Sequence, residues 1–297
     1  MCGRLVCVLE GHNLSVRCQY KDNSGNVKRP EWESGFHTPG YNLPPTSQIP
    51  VMFGKMGQRY FRSMRWGLVP SSHTKSLKEF NLSTHNCCSE TILERPFYSR
   101  AFLKGQRCVI PADGFFEWNS TKGAEKIPYF VHKSRGKVDK DGNEEDSPHP
   151  LLMIAGLYDR CRLNNEDSFF YSASVITVSA SSSINWLHHR MPALLETEAE
   201  VQQWLHTGAL KSRDTLSLLS PRVCIDLYPV SKVVNSVHIN SPACLEKTEP
   251  PKKRKVNTLE KFFSKKQKTE TTDEANLAKS SIKEEVSTED TNRRSPP

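Results

Sequence analysis

RCVIPADGFFEW, at residues 107–118, is the stretch that decides the fold class. A β-branched run at 107–110 comes before a turn signal, Asp113-Gly114, and aromatic residues with one carboxylate, Glu117, come after it. Short β-branched or aromatic runs bounded by turn residues are typical of β-strands. The stretch therefore predicts a strand and a turn that deliver Glu117 into an apolar setting, which suits a general base.

Runs of the same kind recur along the first 245 residues, and each of them predicts a further strand. They lie at residues 51–53, 129–131, 151–157, 174–178 and 223–228. Strands and helices do not alternate regularly, so the pattern favours a compact α+β domain with a mixed, largely antiparallel, barrel-like sheet over a doubly wound sheet.

Two helices and one loop complete this domain. Thr197–His206 predicts a helix because Thr197 and Glu200 form a capping box and Gly208 follows its end. Residues 210–219 predict a second helix before Pro221. Residues 133–150 are rich in Lys, Gly, Asp, Glu and Pro and predict a mobile loop inside the domain.

The composition changes near residue 245. The 297-residue chain carries a net charge of +8, which permits a nucleic-acid partner without requiring one. Residues 246–297 are polar with two aromatic residues, which predicts a disordered tail behind one domain at 1–245. No apolar run reaches the roughly 18 residues of a membrane helix, and we expect no secretory signal. Nine irregularly spaced cysteines favour a reducing, intracellular compartment over a disulfide scaffold.

The N-terminal sequence Met1-Cys2-Gly3-Arg4 contains an unusual nucleophile if Met1 is removed. Cys2 then carries an α-amine with a pKa of about 7.7–8.0 and a thiol with a pKa of about 8.5 on one skeleton. Such a 1,2-aminothiol condenses with an aldehyde to an imine and closes to a thiazolidine. The alternative is that Cys2 is an ordinary residue of a frayed terminus.

Three other segments combine polar chemistry with turns: residues 39–42, 64–70 and 187–192. They supply Asn42, Trp66 and the pair His188-His189, although a tryptophan is more often a core residue than a functional one. His85, Cys87 and Cys88 lie close in sequence, but adjacent cysteines do not match common zinc spacing. We therefore expect neither a metal nor a cofactor.

Taken as an ordered set, these segments resemble the SRAP family of abasic-site processing proteins. The resemblance covers residues 1–245 and rests on MCGR at 1–4, PGYN at 39–42, RWGLVP at 65–70, RCVIPADGFFEW at 107–118 and HHRMP at 188–192. It implies a β-rich domain with a positively charged cleft for single-stranded DNA. It also implies covalent capture of abasic sites by Cys2, shielding the lesion at replication forks, and possible self-processing that removes Met1.

The resemblance assigns roles residue by residue. Cys2 corresponds to the crosslinking nucleophile, Glu117 to the catalytic carboxylate, His188 to the imidazole that handles the sugar ring and Asn86 to the active-site asparagine. Arg4 and Arg190 match phosphate-contact positions, Asn42 is assigned to the DNA-binding set, and Trp66 is expected to stack on a base. The family usually has Arg where this chain has Cys88, which weakens the phosphate grip there unless another basic residue substitutes.

The tail contains two further signals. PKKRKV at 251–256 closely resembles a nuclear import signal, so we expect an import receptor as a partner and a nuclear, chromatin-associated location. Residues 256–263 resemble a motif that binds the replication sliding clamp, with Val256 at the position of its usual Gln. We expect a monomer without membrane association.

Two other classes of function remain open at this point. Class II glutamine amidotransferases also begin Met-Cys-Gly, so the chain could be an N-terminal-nucleophile amidohydrolase, although their downstream motifs are missing. A non-catalytic reader of modified cytosine in DNA would need a base pocket but no free Cys2 amine. Glutaminase activity would identify the first class, and binding without a covalent product after Cys2→Ala would identify the second.

Overall fold

The computed structural model describes residues 3–22, 24–119, 126–134, 150–164, 166–206 and 212–249. Its helices are α1 (Gly11–Arg17), α2 (Pro96–Leu103), α3 (Glu198–Leu205) and α4 (Ser212–Leu216). Its strands are β1 (Leu5–Cys7), β2 (Tyr20–Lys21), β3 (Val27–Lys28), β4 (Glu31–Ser34), β5 (Gly40–Leu43), β6 (Gln48–Lys55), β7 (Gln58–Trp66), β8 (Asn86–Cys88), β9 (Arg107–Ala112), β10 (Gly114–Trp118), β11 (Pro128–Lys133), β12 (Leu152–Cys161), β13 (Phe170–Ser179), β14 (Arg190–Pro192) and β15 (Ile225–Pro229).

A closed, mixed barrel of five strands forms the centre of the domain. Its strands follow the order β13, β12, β9, β6 and β7, and β7 closes the ring by pairing parallel to β13. The β6–β7 hairpin turns through Met56 and Gly57, whose φ angles of 50° and 77° are both positive. Such a two-residue turn matches the right-handed twist of its strands. The predicted α+β class with a barrel-like, largely antiparallel sheet is confirmed.

A second, antiparallel sheet holds the N-terminal strand β1 between β10 and β5. Its strands follow the order β15, β11, β10, β1 and β5. Leu5 of β1 pairs with Phe115 of β10 on one side and with Leu43 of β5 on the other. The backbone N–H of Phe116 also donates to the carbonyl of Arg4 at 3.0 Å. The chain start is therefore held beside the strand that ends at Glu117.

The alternation of β10 divides its side chains between two apolar clusters. Phe115 belongs to the large core that fills the barrel, whereas Phe116 packs with Val6 and Phe130 in a smaller cluster. Both rings are almost fully buried. Fully burying one such side chain stabilises the fold by about 1.5–3 kcal/mol, so the strand that delivers Glu117 is rigidly held.

Local sequence signals set the helix boundaries in part. The capping box of Thr197 and Glu200 is present at the start of α3, as predicted. The second predicted helix is shorter than residues 210–219: α4 ends at Leu216 and turns follow it, while residues 207–211 lie outside the described part. No helix of the described residues is long and apolar enough to cross a membrane.

The predicted domain boundaries, residues 1 and 245, lie close to the first and last described residues, 3 and 249. Lys247 bridges to Val230, and the N–H of Thr248 donates to the carbonyl of Pro229 at 2.9 Å, so folded contacts run slightly beyond residue 245. Residues 135–149, most of the predicted mobile loop, and residues 250–297, with the import signal and the clamp motif, lie outside the described residues. Those expectations stay predictions.

Candidate functional site

A cavity of about 480 Å³ lies where the N-terminal segment meets the end of β10. It is lined by Gly3, Arg4, Glu117, Trp118, Asn119, Lys126, His188 and Asn235. Three residues that the sequence singled out, Arg4, Glu117 and His188, therefore share one cavity. Cys2 lies outside the described residues, but its chain neighbour Gly3 is part of the lining.

Glu117 is a nearly buried carboxylate at the cavity, with 6% of its surface exposed. The backbone N–H of Trp118 donates to its Oε1 at 3.2 Å. On the neighbouring strand, Tyr129 of β11 stands directly opposite Glu117 in the antiparallel register. The strand pairing thus fixes the backbone that presents this carboxylate to the cavity.

His188 follows β13 and is held by the backbone of Arg190. Its Nδ1 lies 3.0 Å from the Arg190 nitrogen and 3.2 Å from the Arg190 carbonyl oxygen. A neutral ring accepts from that N–H and carries its proton on Nε2, and a protonated ring can donate from Nδ1 to the carbonyl. Burial lowers the pKa of His188, and the charge of Glu117 opposes this. Its orientation is therefore supported in both protonation states, which suits a proton shuttle.

Arg4 is anchored at the cavity wall by its guanidinium group. Nη1 donates to Oδ1 of Asn42 and to the carbonyl of Val234, both at 2.9 Å. Nη2 donates to the carbonyl of Asn235 at 3.4 Å, and the guanidinium lies 5.7 Å from the centroid of the Trp118 ring. A fixed cation at the cavity is a suitable contact for a DNA phosphate.

Asn42 is a buried residue that positions Arg4, and this corrects the prediction that it belongs to the DNA-contacting surface. Only 1% of its surface is exposed. Its amide donates to the carbonyls of Val234, Ser236 and Ile239 at 3.2, 2.9 and 2.9 Å, while its oxygen accepts from Arg4. The amide is needed there because a segment distant in sequence presents three carbonyls together.

Trp66 is also a core residue, so the prediction that it stacks on a base is wrong. Its side chain is fully buried in the barrel core, and its indole N–H donates to the carbonyl of His85 at 2.9 Å. An indole enclosed by the core cannot reach a base unless the surrounding strands separate.

Arg190 lies next to His188 in the chain, but its guanidinium is already paired. Nη1 and Nη2 donate to the two carboxylate oxygens of Glu90 at 2.8 and 2.9 Å, and Nη2 also donates to the carbonyl of Thr177 at 2.6 Å. The hydrogen bond from Arg190 lowers the pKa of Glu90. The Glu90 side chain is 52% exposed, so a DNA phosphate would compete with it for Arg190.

Cys88 stands close to this ion pair. Its Sγ lies 4.0 Å from Oγ1 of Thr177, which lies 3.3 Å from Nη2 of Arg190. Arg190 is thus a basic residue close to Cys88, the position at which the SRAP pattern usually has an Arg.

Asn86 is not among the residues that line the cavity. It lies on β8, where it pairs with Val175 of β13 in the barrel sheet, and its carbonyl accepts from the Tyr98 hydroxyl at 3.2 Å. The structure therefore gathers Arg4, Glu117 and His188 at one cavity, places Asn86 on β8 outside the cavity lining, and buries Asn42 and Trp66.

An aromatic residue near the cavity, Trp186, was missed by the sequence reasoning. Half of its surface is exposed, and its ring packs edge-on against Tyr129 with 5.1 Å between centroids. Tyr129 is the strand partner of Glu117. A tryptophan two residues before His188, after a run of serines, was the available signal. Lys126 and Asn235 carried no comparable signal because only the chain path brings them to the cavity.

Comparisons with known proteins show the family and the fold of this chain. The profile of the family described as SOS response associated peptidase (SRAP) matches residues 1–237. The chain is 36% identical to the abasic site processing protein HMCES of Xenopus tropicalis, over 82% of this chain and 78% of that protein. It is 30% identical to the abasic site processing protein YoqW of Bacillus subtilis, over 83% and 99%. A solved structure of a Bacteroides thetaiotaomicron protein shares the fold, with a TM-score of 0.63 and 22% identity, over 84% of this chain and all of that one.

Proposed function

The chain belongs to the SRAP family, and from this premise we propose that it processes abasic sites in single-stranded DNA by crosslinking them covalently to Cys2. Its relatives named abasic site processing proteins support the lesion as substrate. The observation that carries the proposal is one cavity in which the residue after Cys2 meets a buried carboxylate, an imidazole and a fixed guanidinium, Glu117, His188 and Arg4.

The reaction begins with the sugar. An abasic deoxyribose is mostly a closed hemiacetal, and His188 opens it by moving the hydroxyl proton to the ring oxygen. The freed aldehyde carbon is attacked by the α-amine of Cys2 and loses water, which leaves an imine. The Cys2 thiol then adds to the imine carbon, and its proton goes to the nitrogen. One water is released, and the product is a thiazolidine.

Glu117 handles the protons of the nucleophile. A Cys2 amine is partly protonated near neutral pH, and the carboxylate accepts that proton before attack and returns it when the carbinolamine loses water. Because Glu117 is nearly buried, bulk water has little access to it and competes little with it for these proton transfers. His188 and Glu117 therefore set the rate of linkage, while Cys2 supplies both bonds.

Cationic and aromatic groups bind the DNA strand. Arg4 contacts a phosphate at the cavity, and Arg190 contacts another by exchanging Glu90 for it. Trp186, whose ring is exposed near the cavity, stacks on a base in place of the buried Trp66. Stacking tolerates any base, so the strand is bound without reading its sequence.

The cellular setting belongs to the same proposal. The basic run at 251–256 supports nuclear import, and residues 256–263 support an association with the sliding clamp at replication forks, where a crosslink would shield the lesion. Removal of Met1, by the protein itself or by an aminopeptidase, is required before Cys2 can react. The protein is expected to act as a monomer.

The test uses the full chain and single-stranded DNA with one abasic site. Intact mass should show Met1 absent, and a denaturing gel should show a heat-stable adduct whose mass equals protein plus DNA less one water. Cys2→Ala should give no such adduct. A heat-stable adduct of normal yield from Cys2→Ala would overturn the proposal.

Rates separate the supporting residues from the nucleophile. Glu117→Gln and His188→Gln should each slow adduct formation by about 10²–10⁴-fold, the usual cost of a positioned acid or base. His189→Gln is the matched control, because its exposed ring stacks on His188 at 4.3 Å but does not line the cavity. Unchanged kinetics in both Glu117 and His188 variants would remove them from the mechanism.

A further inference from the structure

A larger cavity, of about 750 Å³, lies at the opposite end of β13 from His188. Its lining includes four cations, Lys55, Lys104, Arg160 and Arg162, and the aromatic ring of Phe169. The hairpin between β12 and β13 supplies Arg160, Arg162 and Phe169, and the segment after α2 supplies Lys104. None of these residues belongs to the site described above.

The two carboxylates at this cavity, Glu33 and Asp159, already have ion-pair or hydrogen-bond partners. Glu33 accepts from Lys55 at 3.1 Å and from Arg62 at 3.0 Å. Asp159 is 2% exposed, and its oxygens accept from the backbone N–H groups of Ser71 and Arg160, both at 2.8 Å. Across the described ranges, no ion pair engages the three exposed cations Lys104, Arg160 and Arg162. The cavity therefore has positive charge available for an anionic ligand.

Phe169 combines with two of these cations in a stacked group. The guanidinium carbons of Arg160 and Arg162 lie 4.5 and 4.8 Å from the centroid of its ring, and the ring remains 41% exposed. On β13, which follows, the ring centroid of Tyr171 lies 4.1 Å from the guanidinium carbon of Arg62. Planar guanidinium and aromatic groups are surfaces on which nucleic-acid bases stack, and arginines also bind phosphate in bidentate fashion.

We propose that this cavity is a second binding site for the same single strand, with Lys104, Arg160 and Arg162 on phosphates and Phe169 with its arginines stacking on a base. An acidic peptide would satisfy the cations but would leave the exposed aromatic surface without a planar partner. Cations that form no ion pair with any described residue, next to exposed planar groups, are the arrangement that sequence-tolerant single-strand binders use.

The separation of the two sites sets a strand length. From Tyr171 to Ser179, the partner of Arg190, β13 advances eight residues, which is about 27 Å at about 3.4 Å per residue. A single strand stacked as in a duplex, at about 3.4 Å per nucleotide, would need about eight nucleotides for this span, and a more extended strand would need fewer. Strands that extend less than this from the lesion reach the first site alone.

Anisotropy measurements with undamaged single strands test the second site without using the crosslink. Phe169→Ala should weaken binding of a strand of about twenty nucleotides by about 5-fold to about 150-fold, the range for loss of one stacking aromatic. Arg160→Ala and Arg162→Ala should each lower the salt slope by about 0.7. A strand too short to span both sites can occupy only one of them at a time, so these variants should lower its affinity less than they lower the affinity of the long strand.

Matched controls keep the inference separate from folding and from the crosslink. Phe36→Ala removes an exposed ring and Lys28→Ala an exposed cation elsewhere on the domain, and neither should change binding. Phe169→Trp retains a stacking ring and should keep the affinity. Crosslinking of a short abasic strand should proceed normally in every variant, so a failed second site would leave the proposed function standing.

Three outcomes would overturn the inference. The first is unchanged affinity of Phe169→Ala for the long strand. The second is equal weakening on short and long strands. The third is competition by a polyglutamate peptide as strong as that of an oligonucleotide of the same charge, which would show a site that recognises charge without stacking.

Discussion

Replacing the buried Asn42 by alanine should lower stability and loosen Arg4 at the same time. The Asn42 amide donates to carbonyls of a segment almost two hundred residues away and accepts from Arg4. Alanine removes the whole group and leaves those carbonyls and the guanidinium without this partner. Because Asn42 is 1% exposed, water cannot readily replace it.

The magnitude follows from the bonds that are lost. Two amide hydrogens contribute about 0.5–1.5 kcal/mol each, and the bond to a charged group contributes about 1.5–3 kcal/mol. These contributions sum to about 2.5–6 kcal/mol. The upper value is reduced because Arg4 is only half-buried, so the free energy of unfolding should fall by about 2.5–5 kcal/mol. For a domain of this size the melting temperature should fall by about 5–20 °C.

Thermal unfolding and crosslinking kinetics, measured on the same samples below the transition, test this prediction. Asn235→Ala is the matched control, because that asparagine is exposed at the same cavity and its side chain makes one hydrogen bond, from Trp118. It should change the melting temperature far less. Asn42→Ala with an unchanged melting temperature but weaker DNA binding would refute the assignment and return Asn42 to the DNA-contacting surface.

Three further predictions concern the charge, aromatic and proton-transfer groups of the site. Glu90→Gln should free Arg190 for phosphate, so titrations of single-stranded DNA should show tighter binding and a salt slope steeper by about 0.7; a weaker affinity would contradict the exchange. Trp66→Ala should cost about 3–5 kcal/mol of stability in chemical denaturation, whereas Trp186→Ala should leave stability nearly unchanged and weaken strand binding by about 1–3 kcal/mol. Burial lowers the pKa of His188 in the folded state, so the unfolded chain binds more protons between that pKa and the ordinary value of about 6.5. Stability should therefore fall as the pH drops through this window, and His188→Gln should reduce that slope in pH-dependent melting curves.

Much of the candidate site follows from the sequence because the relevant signals are local. A turn after a β-branched run places Glu117 at a strand end, and a capping box starts α3 through contacts within four residues. Such interactions involve near neighbours in the sequence, so a short stretch of sequence is enough to predict them. The family motifs also identify Arg4 and His188, which do line the cavity.

Whether a side chain faces the core or the solvent is decided by the tertiary structure. Trp66 and Trp186 are the same residue type, yet the parallel pairing of β7 with β13 encloses the first and the loop after β13 exposes the second. Along a strand, one step in register moves a side chain from core to solvent. No local pattern specifies that register when the partner strand is distant in the chain.

The sequence by itself determined the fold class, the helix start at Thr197 and the set of reactive groups. Only the tertiary structure decided how those groups are used: Asn42 became a buried anchor, and Arg190 became the partner of Glu90. The physical reason is that buried polar groups must find hydrogen-bond partners. Those partners come from whatever segment the closed barrel and the second sheet bring alongside, which is settled by long-range pairing of strands.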